Sequence, residues 1–479
     1  MITTVNKKKL YINGQWVEAA QYEELKSPYS LETIAHIPMA TDDEVEAAIR
    51  TAYAAREEMA AIPAYKRAEM LEKLASLLNE RSEEASQIIA LEAAKPIKTA
   101  RLEVARTVQT YKFAAEEAKR IGGEYIPTDA APGGENRIAY TFREPVGVVA
   151  AITPFNFPMN LVAHKVGPAL AAGNPVVLKP ATQTPLSAYF LGELLHEVGL
   201  PQGAFNIVTG NGARVGDKLV TDERVKKISF TGSAAVGIGI RNKAGLKKVT
   251  LELGSNAAVI IDDNVELTEA VISRIVSGAF SFQGQVCISV QRIYVHESRY
   301  EELVEKLIAE TKKLNLGNSL EEATDVSAMI SPREVERSLQ WIEEAKAAGA
   351  EVVTGGKAQD TILQPTILTN VHPSQKVSCQ EVFAPIVSVV KVASMDEAIE
   401  QVNDSKYGLQ AGIYTTNINT ALNASKRLQV GGVVINDIPT YRVDHFPYGG
   451  VKESGVGREG LKYAIEEMTE LKLVIINQN

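Results

Sequence analysis

Two side chains in this sequence could attack and then release a carbonyl group. Cys287 is one of only two cysteines in 479 residues and closes the run Phe280-Ser-Phe-Gln-Gly-Gln-Val-Cys. It follows a turn built on Gly284, and a β-branched segment (Val290, Ile293, Val295) begins just after it, so the thiol stands where it can meet a ligand. A thiolate attacks carbonyl carbon far better than a serine hydroxyl does. Glu252 stands in Leu251-Glu-Leu-Gly254, wedged between two leucines, where desolvation would raise its pKa towards that of a general base. Cysteine plus buried carboxylate suggests covalent chemistry on a carbonyl followed by hydrolysis. Each residue also has a structural reading, as a small packed thiol and as a strand carboxylate.

The elements that must position these groups alternate along the chain. Apolar strands are predicted at Val146–Thr153, Pro175–Lys179, Phe205–Thr209, Ile228–Thr231 and Val249–Leu253, with helices such as Ser187–Val198 between them. That pattern predicts a parallel sheet covered on both faces. A second alternating series, about 257–436, predicts another α/β domain. The N-terminal third reads as helical: Thr41 and Glu44 form a capping box before an amphipathic stretch to Met59, and further helical patterns cover 66–92 and 98–120. Residues 122–132 break the pattern, 136–142 alternate like an exposed strand, and Leu471–Ile476 is a strand with no partner nearby in sequence.

Ligands of parallel sheets sit beyond the carboxyl ends of the strands. Three such ends carry polar groups: Pro154-Phe-Asn-Phe-Pro158, Lys179-Pro-Ala-Thr182 and Phe230-Thr-Gly-Ser233. Asn156 is placed to donate its amide to an oxyanion and Lys179 to reach a ribose or phosphate. Ser233, with the first free N–H groups of the following helix, is placed to hold a pyrophosphate. The Gly210–Gly216 turn also follows a strand, but its last glycine comes one residue late for a dinucleotide fingerprint.

Composition narrows the classes. A formal charge of −9 and the lack of a basic cluster argue against nucleic-acid or anionic-membrane surfaces. The first residues lack an apolar leader core, and no run reaches the roughly 18 apolar residues of a membrane span. Two cysteines make no disulfide framework, and neither they nor the six histidines show metal-ligand spacing. The expectation is a cytoplasmic protein with no metal.

Taken together, these segments resemble the aldehyde dehydrogenase superfamily over nearly the full length. The resemblance includes Pro154-Phe-Asn-Phe-Pro, Lys179-Pro-Ala-Thr, Phe230-Thr-Gly-Ser, Leu251-Glu-Leu-Gly, Gly284-Gln-Val-Cys, Gln380-Glu-Val-Phe-Ala-Pro385 and Pro447-Tyr-Gly-Gly-Val-Lys-Glu-Ser-Gly-Val-Gly-Arg-Glu-Gly460. Within the superfamily, Gly432–Asp437 and Arg442-Val-Asp444 look like the lactaldehyde dehydrogenase branch, with non-phosphorylating glyceraldehyde-3-phosphate dehydrogenases as close relatives.

The resemblance implies that Cys287 is the nucleophile, Glu252 the base for the deacylating water, and Asn156 with the Cys287 backbone N–H the oxyanion hole. It implies NAD or NADP as cofactor. Lys179 and Thr182 would contact the adenosine ribose or its 2′-phosphate, Ser233 the pyrophosphate, and Glu381 the nicotinamide ribose with Phe383 packing nearby. Thr153, Pro154, Phe155, Gly212, Gly232 and Leu253 complete that expected site. Cys379 has no family role and reads as a packed thiol.

There are departures. NAD-specific members often carry glutamate where Thr182 stands, so NADP is acceptable here. The glyceraldehyde-phosphate enzymes place arginine before the nucleophile, where this chain has Val286, and the usual Leu-Gly-Gly after the base is Leu-Gly-Ser.

The expected fold is α/β and aldehyde dehydrogenase-like. A doubly wound parallel-sheet cofactor domain (1–122 and 146–253) would stand beside an α/β catalytic domain (254–464). A small β bridging element (123–145 and 465–479) would support a homo-oligomer, dimer or tetramer. The expected substrate is a small aldehyde of the lactaldehyde or sulfolactaldehyde type, lined by Arg442, Arg106, His164 and Phe157, the cations holding an anionic end. Glyceraldehyde 3-phosphate and succinate semialdehyde are the alternatives. A CoA-acylating dehydrogenase would need no base such as Glu252, a cysteine hydrolase would need a partnered histidine, and a non-catalytic homologue would need neither Cys287 nor Glu252.

Overall fold

The protein is described by a computed structural model covering residues 5–478; residues 1–4, where a leader was sought, and residue 479 lie outside the described residues. An eight-stranded sheet carries, in spatial order, Gly455–Val456, Lys248–Glu252, Val225–Thr231, Val148–Ile152, Val176–Lys179, Phe205–Ile207, Leu10–Ile12 and Gln15–Val17. The five strands from Lys248–Glu252 to Phe205–Ile207 run parallel, with antiparallel strands at both edges.

The near-continuous apolar runs have a direct cause. Val149 and Ala151 enter one core with the helices Ala64–Glu80, Ile97–Ala118, Asn160–Ala172 and Leu186–Val198, while Val148, Ala150 and Ile152 enter a second core with Asp42–Ala61 and Gly212–Thr221. A strand buried on both faces cannot alternate apolar with polar. The same division governs the seven-stranded sheet, where Val259 and Ile261 face one core and Ala258 and Ile260 the other. Its order is Glu351–Thr354, Thr366–Thr369, Ile386–Val392, Arg292–His296, Ala258–Ile261, Gln410–Tyr414 and Gly432–Ile435. Strand Gly455–Val456, from the far end of the chain, closes the first sheet beside Leu251 and Glu252.

Thr41 and Glu44 form the expected capping box. The helical pattern over 66–92 is two helices, Ala64–Glu80 and Ser82–Ala93, broken at Arg81. The apolar spacing runs through the break. The acidic Glu83 and Glu84 favour a new N-terminus there, and Arg81 pairs with Glu84.

The tail strand finds its partner far away in sequence. Strand Thr469–Asn477 is paired along its whole length, antiparallel to Arg137–Pro145, which also pairs with Tyr125–Ile126. Helix Leu461–Glu467 packs on Asn160–Ala172 and returns the chain to this place. Among the described residues no strand pairs with the outer edge of residues 470–476, and Leu471, Leu473, Ile475 and Ile476 are exposed. Among the described residues, no helix is long and apolar enough to cross a membrane, and no cluster of His, Cys, Asp and Glu could hold a metal ion.

Candidate active site

Register in the eight-stranded sheet lines up a row of strand ends: Thr231 lies opposite Glu252, Phe230 opposite Ile152, and Ile152 opposite Lys179. Above this row stands the turn that carries the cysteine. Helix Glu269–Phe280 ends, and Phe282, Gln283 and Gly284 then adopt left-handed backbone (φ 47°, 55° and 65°). Such strain in non-glycine residues persists only where surroundings impose it. Here the buried Gln283 amide donates to the carbonyls of Ala94 (3.0 Å) and Ala328 (2.6 Å), and Gln285 Oε1 accepts from the Ile330 N–H at 3.0 Å. Gly284 is required, because a Cβ there would lie 2.3 Å from the Ala384 carbonyl oxygen.

The turn sets Cys287 into a wall shared by two cavities of about 540 and 510 Å³, to which Thr231, Glu252 and Leu253 also contribute. The larger is lined by Phe157, Arg106, Arg442, Leu161 and Tyr448, and the smaller by Pro154, Phe155, Asn156, Ser233, Glu381 and Phe383. A thiol and a carboxylate therefore face two chambers at once. The Cys287 sulfur lies 3.1 Å from the Tyr448 hydroxyl; burial pushes the thiol up to about 11, and that hydrogen bond pulls the other way. Both oxygens of Glu252 are buried without a hydrogen-bond partner. Burial first, and then the charge of Glu459, hold its carboxyl well above the usual range, which makes it a stronger proton acceptor than an ordinary carboxylate.

Asn156 is buried and donates one amide N–H to the Gln285 carbonyl at 3.0 Å, which ties it to the cysteine turn and leaves a second N–H. Its own carbonyl accepts from Lys95 Nζ at 2.7 Å. Lys95 is fully buried, pairs with Glu103, and lies over the rings of Phe157 (3.8 Å) and Phe282 (4.4 Å). Glu103 in turn accepts from the N–H groups of Met159 (3.0 Å) and Asn160 (3.2 Å). One buried ion pair thus spans the turn bearing Asn156 and the turn bearing Cys287.

The expected cofactor residues divide. Pro154, Phe155, Gly232, Ser233, Leu253, Glu381 and Phe383 line the smaller cavity, whereas Thr153, Lys179, Thr182 and Gly212 do not. Phe155 and Phe383 meet edge to face at 5.7 Å, and Phe383 takes a left-handed φ of 50°. Burial raises the Glu381 carboxyl to about 7, although the Ser255 N–H donates to it at 2.9 Å. Lys179 closes its strand, lowered by burial to about 8, with Nζ donating to the Pro180 carbonyl; Thr182 donates to the Gly210 carbonyl at 3.2 Å.

The two glycine turns differ in a decisive way. Asn211 caps the helix that begins at Gly212, consuming the N–H groups of Ala213 and Arg214. Ser233 makes no such bond, so helix Ala234–Lys243 presents free N–H groups. Gly232 lies so close to Phe230 that a Cβ would come within 2.5 Å of the ring. The Thr153 hydroxyl is buried without a partner. An uncapped helix start at Ser233 and the buried carboxyl of Glu381 over one cleft fit a dinucleotide.

On the substrate side, neither arginine makes a surface ion pair. Arg106 binds Asp444 through Nε (3.2 Å) and Nη2 (2.6 Å). Arg442 is buried, pairs with Glu459 at 2.8 Å and stacks on the Tyr448 ring at 3.7 Å. His164 does not line the cavity as expected. Asn160 and Leu161, one turn earlier on the same helix, do so, while His164 is buried behind Arg442 (3.3 Å) and bonded to Asp444 at 2.8 Å. Burial and the Arg442 charge lower its pKa, against the raising effect of its bond to Asp444. Cys379, expected as a packed thiol, is half-buried, donates to the Ser374 carbonyl and stands in neither chamber.

Sequence reading missed Lys95, Glu103, Asp444 and Glu459, and gave Tyr448 no role. The signal for Tyr448 was its place in the Pro447–Gly460 segment, between Glu252 and the closing strand.

The fold and this arrangement define a class that comparison makes explicit: residues 16–474 match the aldehyde dehydrogenase family, and the chain belongs to it. It is 49% identical over 476 residues to a 3-sulfolactaldehyde dehydrogenase of Priestia aryabhattai, covering 99% of each chain. It is 41% identical over 472 residues to a lactaldehyde dehydrogenase of Methanococcus aeolicus, covering 98% of this chain and 100% of the relative. Among solved structures, it superposes with a TM-score of 0.92 and 41% identity on a glyceraldehyde-3-phosphate dehydrogenase of Methanocaldococcus jannaschii complexed with NADP, covering 96% and 100% of the two chains.

Proposed function

We infer that this enzyme oxidises a short α-hydroxyaldehyde to its carboxylate, using NAD or NADP, the far end being a neutral methyl in lactaldehyde and an anionic sulfonate in sulfolactaldehyde. Sulfolactaldehyde and lactaldehyde are the substrates of this type. The observation that carries the reading is the wall shared by two chambers, with Cys287 and Glu252 both set in it.

The Cys287 thiolate adds to the aldehyde carbon, and the carbonyl electrons move to oxygen. The free N–H of Asn156 and the Cys287 backbone N–H receive that charge, at about 3 kcal/mol per donor. Phe155, Ser233, Glu381 and Phe383 would hold the dinucleotide in the smaller chamber, with Lys179 and Thr182 at the adenosine end. When bound, its nicotinamide supplies the hydride acceptor. The resulting thioester on Cys287 is cleaved by water that gives its proton to Glu252, and the carboxylate leaves. The retained base sets this reading above CoA acylation.

One free donor supports an anionic end. Arg106, Arg274 and Arg442 line the larger chamber, paired with Asp444, Asp437 and Glu459, and Asp444 occupies two of the three nitrogens of Arg106, leaving the third for a substrate oxygen. The 49% identical relative bears a sulfonate-aldehyde name, which agrees. A panel of neutral and anionic aldehydes assayed with each cofactor tests the reading. Arg106→Leu should raise KM selectively for the anionic substrates, because Asp444 keeps its bonds to His164 and Asn160; equal effects on both classes would contradict it.

The proposed assembly is a homo-oligomer, dimer or tetramer, formed through the outer edge of residues 470–476. The cytoplasm is the compartment that suits two unpaired thiols.

A further inference from the structure

The thiol of Cys287 is a poor nucleophile as burial leaves it, since near neutrality a group raised to about 11 is almost wholly protonated. Something beside it must favour the thiolate. A hydroxyl touches the sulfur: that of Tyr448, at 3.1 Å. We propose that Tyr448 is a catalytic residue of this enzyme, donating its phenolic O–H to the Cys287 thiolate, and that Arg442 and Glu459 are the positioning residues that hold it there.

The geometry is fixed from three sides. Tyr448 is 2% exposed, and its backbone is locked to Glu459 by two hydrogen bonds, Tyr448 N–H to the Glu459 carbonyl (3.1 Å) and Glu459 N–H to the Tyr448 carbonyl (2.7 Å). The Glu459 side chain then anchors the Arg442 guanidinium at 2.8 Å, and that guanidinium lies 3.7 Å from the Tyr448 ring centroid. One glutamate therefore places both the ring and the cation against it. A cation on the ring face draws electron density from the phenol and makes its O–H a better donor. Burial and the neighbouring sulfur hold the phenol protonated well above its ordinary range, so the proton stays on oxygen when the thiol has lost its own. A phenylalanine would fill the same space and donate nothing.

The inference rests on Cys287 being the nucleophile, but its test needs no aldehyde, so the two can fail separately. Full-length wild type and Tyr448→Phe are treated with iodoacetamide across the neutral and alkaline range. The thiolate displaces iodide and forms a C–S bond, and the Cys287 peptide is followed by mass to separate it from Cys379. Cofactor binding serves as the check on folding. Loss of the donor should displace the Phe variant's profile upward by about one pH unit, making alkylation near neutrality about tenfold slower. As a second variant, 3-fluorotyrosine at position 448, a stronger donor, should displace the profile downward, and it decides alone if Tyr448→Phe does not fold. An unchanged Phe profile, or one displaced downward, would overturn the proposal, because the hydroxyl would then be a bystander or a brake that accepts the thiol proton.

Discussion

Glu252 stands among charges of both signs, and their balance sets when it can act. Burial and Glu459 push its carboxyl up, while Arg442, Lys165 and Arg458 pull it down. Its charged, proton-accepting form is therefore lost as pH falls through a raised pKa, so hydrolysis of the thioester should climb at higher pH than an ordinary carboxylate would set. Glu459→Gln removes the repulsion and should move that limb to lower pH; a limb that stays in place in steady-state profiles would exclude the coupling. Cys287→Ser should abolish aldehyde oxidation yet bind cofactor with unchanged affinity by fluorescence titration, and normal turnover would remove Cys287 from the chemistry. Thr182→Glu should favour NAD over NADP by repelling a 2′-phosphate, read as the ratio of kcat/KM for the two cofactors. Cys287 and Glu252 were legible because their own flanks advertise them, a glycine turn and two leucines. Tyr448 and Lys95 were not, because the atoms they touch lie 161 and 61 residues away in sequence.

Between residues and the fold stand two turns that must keep a fixed relation, Pro154–Pro158 and Phe282–Cys287. Lys95 joins them from the short connection before helix Ile97–Ala118, with Glu103 on that helix closing the pair. Removing one member of a buried ion pair strands the other and costs about 3–5 kcal/mol. Lys95→Met should therefore lower stability to chemical denaturation by that amount and slow the first turnover, since the main-chain carbonyl of Asn156 loses its tether while its side chain keeps the bond to Gln285; a loss below about 1 kcal/mol would show that packing alone holds the turns. At this scale, the five parallel strands could be read from their apolar runs. The break at Arg81 could not, because apolar spacing continues through it.

At the scale of the whole molecule, the tail strand carries a row of exposed apolar side chains. On Thr469–Asn477, Leu471, Leu473 and Ile475 alternate onto one face and stay exposed although the strand is paired on its other side. Exposed apolar edges of this kind are covered in stable proteins. Replacing Leu473 and Ile475 by glutamate should reduce the molar mass in light scattering to that of the 51.9 kDa chain without loss of helix content, and an unchanged mass would place the interface elsewhere. The pairing of this strand with the 123–145 segment was expected from the family resemblance and not from any local pattern, because helix Leu461–Glu467 returns the tail to Arg137–Pro145.

The most direct test of the central claim, that a thioester on Cys287 is hydrolysed by Glu252, is rapid mixing of Glu252→Gln with aldehyde and cofactor. The account predicts a burst of reduced cofactor equal to the sites present, then almost no turnover, with the acyl group found by mass on the Cys287 peptide. Absence of the burst, or steady turnover after it, would contradict it.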